Sequence, residues 1–173
     1  MIGFSVFPTA LGHGGIAWGP NGIVGVQLPV ETEGAARTRM RRRYPDGGEQ
    51  APPDEIQRVV EGIVGLMRGE LVDLSKAPLD FEGVPTFHRQ VYEIARAIPP
   101  GETVSYGEIA TRLGDPGAAR AVGQAMGRNP FAPVVPCHRV LAAGGKIGGF
   151  SAPGGRSTKQ RLLAVESGQR SLI

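Results

Sequence analysis

Cysteine is almost absent from this chain of 173 residues, in which Cys137 is the only one. A single cysteine allows neither an internal disulfide nor a cysteine-rich metal cluster, and such usage is typical of a reducing compartment. Long hydrophobic runs are also missing: no segment approaches the roughly 18 apolar residues of a membrane helix, and the first residues lack a charged leader with a cleavage site. We therefore expect a cytoplasmic protein without a membrane partner.

Metal-ligand patterns and low-complexity repeats are absent as well. The chain has three histidines, and His13 and His88 show no ligand spacing with each other or with Cys137. We therefore predict no catalytic metal and no cofactor. Glycine and proline are frequent, with 27 and 15 residues. They separate segments of clear apolar periodicity, so they indicate turns rather than disorder.

Charge is distributed unevenly along the chain. Residues 1–85 contain 8 Lys or Arg against 11 Asp or Glu, whereas residues 86–173 contain 11 against 5, giving net charges of −3 and +6. The basic C-terminal half suits a polyanionic partner, and a solvated, salt-bridged surface is an equally good interpretation. A separate basic run in the first half contains Arg37, Arg39, Arg41, Arg42 and Arg43. For this run a solvated face is favoured over a phosphate-binding patch.

The N-terminal half has the pattern of a small α/β unit. Short strands are predicted over residues 3–7, 16–19 and 23–28. The last two are joined through Pro20-Asn21-Gly22, where Asn-Gly indicates a hairpin. A helix is predicted from Asp54, which forms a capping box with Gln57, and Gly69 is its expected stop. Its apolar positions recur at helical spacing: Ile56, Val59, Val60, Ile63, Val64 and Met67.

The C-terminal half has a mainly helical pattern, after a linker predicted over residues 71–85. Thr86 is the expected cap of a first helix, which stops at Pro99-Pro100-Gly101. Ser105 and Glu108 form an S-x-x-E capping box for a second helix. Further helices are predicted over residues 118–128 and 157–167. The two short helices on either side of Gly114 to Gly117 suggest a helix-turn-helix, a signal that many helical hairpins share.

The residues around Cys137 carry the strongest chemical signal. A thiolate is a strong nucleophile at neutral pH, and neighbours such as His138 and Arg139 are expected to lower the pKa of Cys137. Three prolines between Asn129 and Cys137 would stiffen the backbone, which suits a nucleophile at the bottom of a pocket. Taken singly, however, a free cysteine is more often a small buried hydrophobic residue, and a histidine is more often a packing residue.

Taken together, these residues carry a family resemblance. The segment Pro136-Cys137-His138-Arg139-Val140, preceded by Asn129-Pro130, resembles the O6-alkylguanine-DNA alkyltransferase family. Further matching segments are Phe87-His88-Arg89-Gln90-Val91-Tyr92, Gly101-Glu102-Thr103-Val104-Ser105-Tyr106, Ala118-Ala119-Arg120-Ala121-Val122-Gly123 and Gly148-Gly149-Phe150-Ser151. The resemblance covers about residues 83 to 168, while residues 1–82 match the family only in position and size.

The resemblance implies an α/β fold of two domains and a DNA repair activity. Residues 1–82 would form a ribonuclease H-like α/β domain, and residues 83–173 a mainly helical domain with a winged helix-turn-helix. The implied enzyme moves a methyl or other alkyl group from O6-alkylguanine irreversibly onto Cys137, in a single turnover, and O4-alkylthymine is left open as a substrate. The expected partner is double-stranded DNA that contains alkylated guanine, bound by a monomer.

The resemblance also implies catalytic roles for individual residues. Cys137 would be the acceptor, and His138, a bound water and Glu166 would form the network that draws off the thiol proton. Tyr106 would donate a proton to the leaving base, and Asn129 would brace the turn around the active site. Without the resemblance, Glu166 would be taken for an exposed acid and Tyr106 for a half-buried aromatic residue.

DNA-binding and pocket roles follow from the same resemblance. An enzyme that acts on a stacked base must extrude the nucleotide, and Arg120 would fill the gap that the base leaves. The small residues Ala119, Ala121 and Gly123 would let the helix approach the minor groove, and Ser105 lies in the same DNA-binding region. The residues that match pocket positions are Val140, Phe150 and Ser151. Many relatives have tyrosine in place of Phe150, so one possible hydrogen bond is lost here.

Three other functions compete with this interpretation. An alkyltransferase-like protein would bind the lesion without transfer, but such proteins lack the acceptor thiol, and this chain has Cys137. A DNA-binding regulator would need polar side chains where the second helix of the motif offers mainly Ala and Gly. A cysteine hydrolase would use Cys137, His138 and Glu166 as a triad, and neither the helix-turn-helix nor the basic half is needed for it.

Overall fold

The structure is a computed structural model that describes residues 1–145 and 155–171. In this part of the chain the strands are β1 (Gly3–Thr9), β2 (Gly12–Gly19), β3 (Gly22–Val30), β4 (Gly48–Glu49), β5 (Val104–Ser105) and β6 (Val140–Leu141). The α-helices are α1 (Glu33–Arg43), α2 (Asp54–Met67), α3 (Thr86–Arg96), α4 (Tyr106–Arg112), α5 (Ala119–Gly127) and α6 (Gly155–Ser171). The predicted α/β fold is confirmed.

A mixed four-stranded sheet forms the centre of the N-terminal part. Its strand order is β3-β2-β1-β4, with antiparallel pairs except for the parallel pair of β1 and β4. The predicted hairpin between β2 and β3 is confirmed, and Gly19 pairs with Gly22 across its turn. Gly22 has a φ of +126°, and a Cβ there would lie 2.8 Å from the carbonyl oxygen of Pro78. Only glycine fits this position without strain.

Helix α1 was not predicted from the sequence, because its buried face is very small. Only Ala36 and Met40 are buried in it, four residues apart, and arginines occupy much of the remaining surface. Thr32 caps the helix by accepting a hydrogen bond from the backbone N–H of Ala35 at 3.0 Å. Met40 packs with Phe4 and Ala17 on one face of the sheet.

Helix α2 begins at the predicted residue, but its predicted capping box is wrong. Asp54 is the first helical residue, and the residue before it, Pro53, offers no side-chain cap. Proline fits there because its fixed φ suits the approach to a helix and it has no N–H to satisfy. The helix stops where predicted, since Gly69 follows the last turn with a φ of +97°.

The C-terminal helices follow the predicted order, with one incorrect cap. Thr86 is the first residue of α3 rather than its cap, and Pro85 precedes it without a side-chain hydrogen bond. The cap of α4 is confirmed, because Ser105 Oγ accepts a hydrogen bond from the backbone N–H of Glu108 at 3.0 Å. Helix α6 is longer than the predicted residues 157–167. Buried Tyr92 links α3 to α5 by donating its hydroxyl to the Ala125 carbonyl at 2.7 Å.

Residues 71–85 pass between the two parts without a helix, as predicted for a linker. They are nevertheless well packed: Leu79 forms a bridge with Ile23, and Ala77 is buried. One apolar cluster contains residues of the N-terminal sheet and of the C-terminal helices, with Ile16, Ile63 and Val122 among its members. The site around Cys137 is part of this cluster and therefore rests on both halves of the chain.

Candidate active site

Asn129 braces the loop that leads to Cys137. Its side-chain amide donates to the Val135 carbonyl at 2.7 Å, and its Oδ1 accepts from the backbone N–H of Phe131 at 2.8 Å. Phe131 is buried edge-on against Tyr92, with ring centroids 6.3 Å apart. Because Asn129 satisfies backbone groups on both sides of the turn, the loop keeps its shape without a regular element.

Cys137 opens a short 3₁₀ turn, Cys137–Arg139, that leads directly into β6. Strand β6 pairs in parallel with β5, so that Ser105 lies opposite Leu141. This pairing places Tyr106, the first residue of α4, beside the loop that carries the thiol. Residues far apart in the sequence thereby meet at one site, as the family resemblance implied.

Burial controls the charge state of the Cys137 thiol. The residue is only 3% exposed. Burial raises the pKa of Cys137 to about 11, although Lys159, the Asn129 side chain and the backbone N–H groups at 137 and 138 favour the thiolate. The predicted lowering of this pKa is therefore wrong for the free protein. The resting site holds a thiol.

Lys159 belongs to the site although the sequence analysis did not single it out. It is 2% exposed, and its ammonium lies 5.9 Å from the centre of the Tyr106 ring. Burial lowers the pKa of Lys159, and the nearby Cys137 opposes that change. Lys159 lies seven residues before Glu166 on α6, which is two helical turns. That spacing puts both side chains on one face and could have revealed Lys159.

Glu166 is buried and joins three segments of the chain. Its Oε1 lies 2.7 Å from His138 Nε2 and also accepts a hydrogen bond from Arg139 Nη2 at 2.8 Å. Its Oε2 accepts from the backbone N–H of Gly101 at 3.1 Å. The structure thus brings His138 and Glu166 together as the resemblance implied. It also directs Arg139 at the carboxylate, whereas the sequence analysis had placed Arg139 among the groups acting on the thiol.

Hydrogen bonds and burial together set the charge states of Glu166 and His138. Burial would raise the pKa of Glu166, but the hydrogen bonds from His138 and Arg139 outweigh burial and hold it at about 2. Burial lowers the pKa of His138 in spite of Glu166. A neutral imidazole beside a carboxylate donates from Nε2, which leaves Nδ1 as an acceptor. Nδ1 is buried and has no hydrogen-bond partner among the described residues.

Tyr106 has a hydroxyl group suited to bind a ligand. Its oxygen is buried and forms no hydrogen bond within the described ranges. Burial raises the pKa of Tyr106, so the group is a neutral donor at physiological pH. Gly123 on α5 makes room for the ring, because a Cβ there would lie 3.1 Å from Tyr106 Cε2. Gly123 therefore has a packing role in addition to the expected one at the DNA.

The remaining predicted residues lie on α5, near the thiol, or outside the description. Arg120 is exposed, and Ala119 and Ala121 are partly buried beside it. Val140 is fully buried and directly follows the 3₁₀ turn Cys137–Arg139. Phe150 and Ser151 lie outside the described residues.

Among residues 1–145 and 155–171, no group of three His, Cys, Asp or Glu could hold a metal ion. Within those ranges, no helix has the length and apolar character of a membrane span.

The arginine run of α1 is largely engaged within the protein. Arg37 forms salt bridges with Glu33 at 2.9 Å and with Glu49 at 2.8 Å. Arg43 donates to the Val26 carbonyl at 3.1 Å and lies 3.4 Å from the Pro130 carbonyl. Arg41, Arg42 and Arg43 are nevertheless exposed, as expected for the solvated face that was favoured for this run.

Comparison with known proteins gives consistent matches. The family described as 6-O-methylguanine DNA methyltransferase, DNA binding domain, matches residues 86–168. A methylated-DNA–protein-cysteine methyltransferase of Mycolicibacterium paratuberculosis is 49% identical over 114 residues, which are 66% of this chain and 67% of the relative. The protein of that name from Mycobacterium tuberculosis is 38% identical over 158 residues, 91% of this chain and 84% of the relative.

Solved structures are similar over almost the whole chain. A crystal structure of Mycobacterium tuberculosis OGT in complex with DNA has a TM-score of 0.76 and 34% identity, covering 96% of this chain and 94% of that one. The O6-methylguanine-DNA methyltransferase of Pyrococcus kodakaraensis has a TM-score of 0.70 and 28% identity, covering 96% of this chain and 99% of that one. The similarity therefore includes the N-terminal half, where sequence motifs are weak.

Proposed function

Because the chain belongs to the methylated-DNA–protein-cysteine methyltransferase family, we propose that Cys137 is its alkyl acceptor. The protein is a DNA repair enzyme that transfers an alkyl group from DNA to a protein cysteine. Cys137 is the only cysteine of the chain. The observation that carries the assignment is that Cys137 directly precedes the buried His138. The Nε2 atom of His138 lies 2.7 Å from Oε1 of the buried Glu166.

The transfer step needs a thiolate only while the lesion is bound. In the network that the resemblance implies, His138 Nδ1 takes the Sγ proton of Cys137 through a bound water, and Sγ attacks the alkyl carbon of O6-alkylguanine. The S–C bond forms as the C–O6 bond breaks, and the electron pair of that bond goes to the guanine. The base takes up a proton from the Tyr106 hydroxyl, and the proton that His138 took from Cys137 returns to the phenolate through solvent, so that the products are a thioether on Cys137 and guanine. Because a thioether is a stable bond and the described residues offer no group to cleave it, each molecule acts once.

Tyr106 and Lys159 would support this step. The free hydroxyl of Tyr106 would donate a hydrogen bond to the leaving base, which stabilises the charge that develops on it. The ammonium of Lys159 favours the thiolate of Cys137. Val140, Phe150 and Ser151 would form the wall of the pocket that receives the flipped base.

The C-terminal helices would present the lesion to the site. Helices α4 and α5 are joined through Gly114, and we propose that they form the helix-turn-helix of a winged domain over residues 83–173. Exposed Arg120 would enter the base stack, and Ser105, Ala119 and Ala121 would lie against the DNA. Residues 1–82, with their mixed sheet, would form the ribonuclease H-like domain. One copy of the chain would act on one alkylated guanine.

Intact-mass spectrometry tests the acceptor assignment. With O6-methylguanine duplex DNA in excess, the protein should gain the mass of one methyl group, and that methyl should map to the peptide containing Cys137. Repaired guanine should reach a plateau at the protein concentration. Cys137→Ala should bind the lesion and transfer nothing. Continued turnover beyond the plateau, or a methyl group on another residue, would contradict the assignment.

The role of Arg120 can be separated from the chemistry by a change of substrate. Arg120→Ala should slow repair of duplex DNA by about 10-fold or more, because the unstacking of a base costs a few kcal/mol that Arg120 helps to offset. Its reaction with free O6-benzylguanine should stay close to that of the wild type. Exposed Arg161 provides the matched control, since Arg161→Ala removes the same charge from α6. An equal loss on duplex and free base would exclude the proposed role.

A further inference from the structure

Arg139 is buried and binds Glu166 with most of its guanidinium. Its Nε lies 3.1 and 3.2 Å from the two carboxylate oxygens, and its Nη2 lies 2.8 Å from Oε1. The third nitrogen, Nη1, donates to the Ile98 carbonyl at 2.8 Å. The side chains of Arg139 and Glu166 are 7% and 4% exposed. This fork geometry requires arginine, because an ammonium has only one nitrogen to share among these acceptors.

The position of this ion pair bears on His138. An isolated buried carboxylate would stabilise a positive charge on the imidazole that it contacts. Here the negative charge of Glu166 is already balanced by Arg139, and the positive charge of Lys159 also lowers the pKa of His138. On its other side Arg139 lines a cavity of about 360 Å³ together with Asp73 and Arg96. Among the described residues, Glu166, Arg139 and Lys159 are the charged groups that shift the pKa of His138, and Arg139 also acts on Asp73.

We propose that Arg139 is a positioning residue that balances the charge of Glu166 and thereby keeps His138 neutral, with Nε2 as the donor and Nδ1 open to accept the proton of Cys137. An imidazolium at this position would have no lone pair at Nδ1 and could not act as the base. The direction of the pKa change agrees, because burial, Arg139 and Lys159 all lower the pKa of His138. The proposal rests on the proposed alkyl transfer only where it concerns the reaction rate.

Nitrogen-15 NMR of the wild-type histidines gives the first test. The chain has three histidines, so His138 can be assigned by comparison with His13→Gln and His88→Gln. At about pH 6.5, where an unperturbed imidazole is half protonated, His138 should be neutral with the proton on Nε2. An imidazolium at that pH, or a neutral ring with its proton on Nδ1, would overturn the proposal. This measurement requires no substituted Arg139.

Substitution of Arg139 separates charge from packing. Arg139→Gln should raise the apparent pKa of the His138 and Glu166 pair by about one unit or more, because a buried positive charge is lost beside it. Arg139→Lys keeps the charge and should stay within about half a unit of the wild type. Arg161→Gln, an exposed change on α6, should leave the titration unchanged. An unchanged titration in Arg139→Gln, or an equal shift in Arg139→Lys, would contradict the proposal.

The pH dependence of the transfer rate should reflect the same rise in the pKa of His138. Arg139→Gln should lose about threefold or more additional activity at pH 6 than at pH 8.5 compared with wild type, because a one-unit rise in the pKa of His138 protonates much of the base at the lower pH. A merely structural role would lower both rates equally. Should Arg139→Gln not fold, Glu166→Gln gives the opposite sign: it leaves Arg139 unbalanced and should lower the pKa of His138 further. If the wild type transfers no alkyl group, the proposed function fails, and the NMR titration still decides the role of Arg139.

Discussion

The thiol of Cys137 and the carboxylate of Glu166 are both buried in the same site, but their pKa values move in opposite directions. Burial raises the pKa of Cys137 to about 11, whereas hydrogen bonds hold that of Glu166 at about 2 in spite of burial. The difference lies in the donors. Glu166 accepts hydrogen bonds from Arg139 and the backbone of Gly101 and is paired with His138. Among residues 1–145 and 155–171, Cys137 has only backbone groups, Asn129 and the charge of Lys159 to oppose burial.

This contrast divides the work of the site between a protected nucleophile and a prepared base. A buried thiol is a poor target for adventitious electrophiles, because the thiolate is the reactive form. A cysteine that can be used only once benefits from that protection. The base, by contrast, has an acceptor nitrogen without a hydrogen-bond partner in the described part of the chain, and its partner carboxylate is ionised before the lesion arrives. Reactivity should therefore depend on bound substrate.

Among the substitutions at this site, removal of the Glu166 carboxylate should have the largest effect on the rate of alkyl transfer. Glu166→Gln should slow alkyl transfer by about 100-fold, a typical contribution of acid–base catalysis, because His138 loses its anionic partner and becomes a weaker base. Single-turnover rates with alkylated duplex DNA measure this effect. The exposed carboxylate of Glu93 is the matched control, and Glu93→Gln should react like the wild type. A loss of less than about threefold in Glu166→Gln would show that His138 needs no such partner.

The same substitution should change the acid stability of the protein. The pKa of Glu166 is lowered from an ordinary 4.5 to about 2, so the carboxylate stabilises the fold above the higher value. That contribution should disappear as the pH falls through this window. In urea titrations, the difference in stability between wild type and Glu166→Gln should therefore shrink from about pH 5 to pH 2. A constant difference would mean that the charge of Glu166 does not stabilise the fold.

Removing the cation from the thiol side should have a smaller effect. Lys159→Met should slow transfer to Cys137 by about 10-fold, which corresponds to one unit of thiol pKa. Free O6-benzylguanine is the suitable substrate, because it excludes any effect on phosphate binding. Lys76 is exposed, and Lys76→Met controls for the loss of one positive charge. Equal rates for the two variants would show that Lys159 does not favour the thiolate of Cys137 during transfer.

The smallest effect is expected from the glycine that makes room for Tyr106. In Gly123→Ala the new Cβ would lie 3.1 Å from the ring, so Tyr106 must shift by a few tenths of an ångström. Repair should slow by about threefold, because small displacements at a reacting group are costly. Stability should change by less than about 1 kcal/mol, since alanine gains in helix propensity what the contact loses. Gly107→Ala, with 3.7 Å to its nearest neighbour, is the control.

Much of the fold was predictable from the sequence, because the signals for turns, helix caps and helix ends are local. The hairpin at Asn21, the cap at Ser105 and the stop at Gly69 each follow from a few neighbouring residues. The segment around Cys137 was recognisable as a motif. Helix α1 escaped because only Ala36 and Met40 mark its buried face.

The charge states could not be predicted in the same way, because they depend on contacts between distant residues. His138 and Arg139 adjoin Cys137 in the sequence, which suggested that both would favour the thiolate. In the fold, both bind Glu166 on α6 instead. The depth of burial of Cys137, which decides its pKa, likewise results from the packing of both halves of the chain.

The pH dependence of Cys137 alkylation by iodoacetamide tests the central claim most directly. The folded free protein should react slowly at neutral pH, and its labelling rate should rise with an apparent pKa near 11. Urea-unfolded protein provides the reference, with an ordinary thiol pKa of about 8.5. Wild type and Lys159→Met should differ in the folded state and agree in the unfolded state. An apparent pKa at or below the unfolded value would show instead that the resting site holds an activated thiolate.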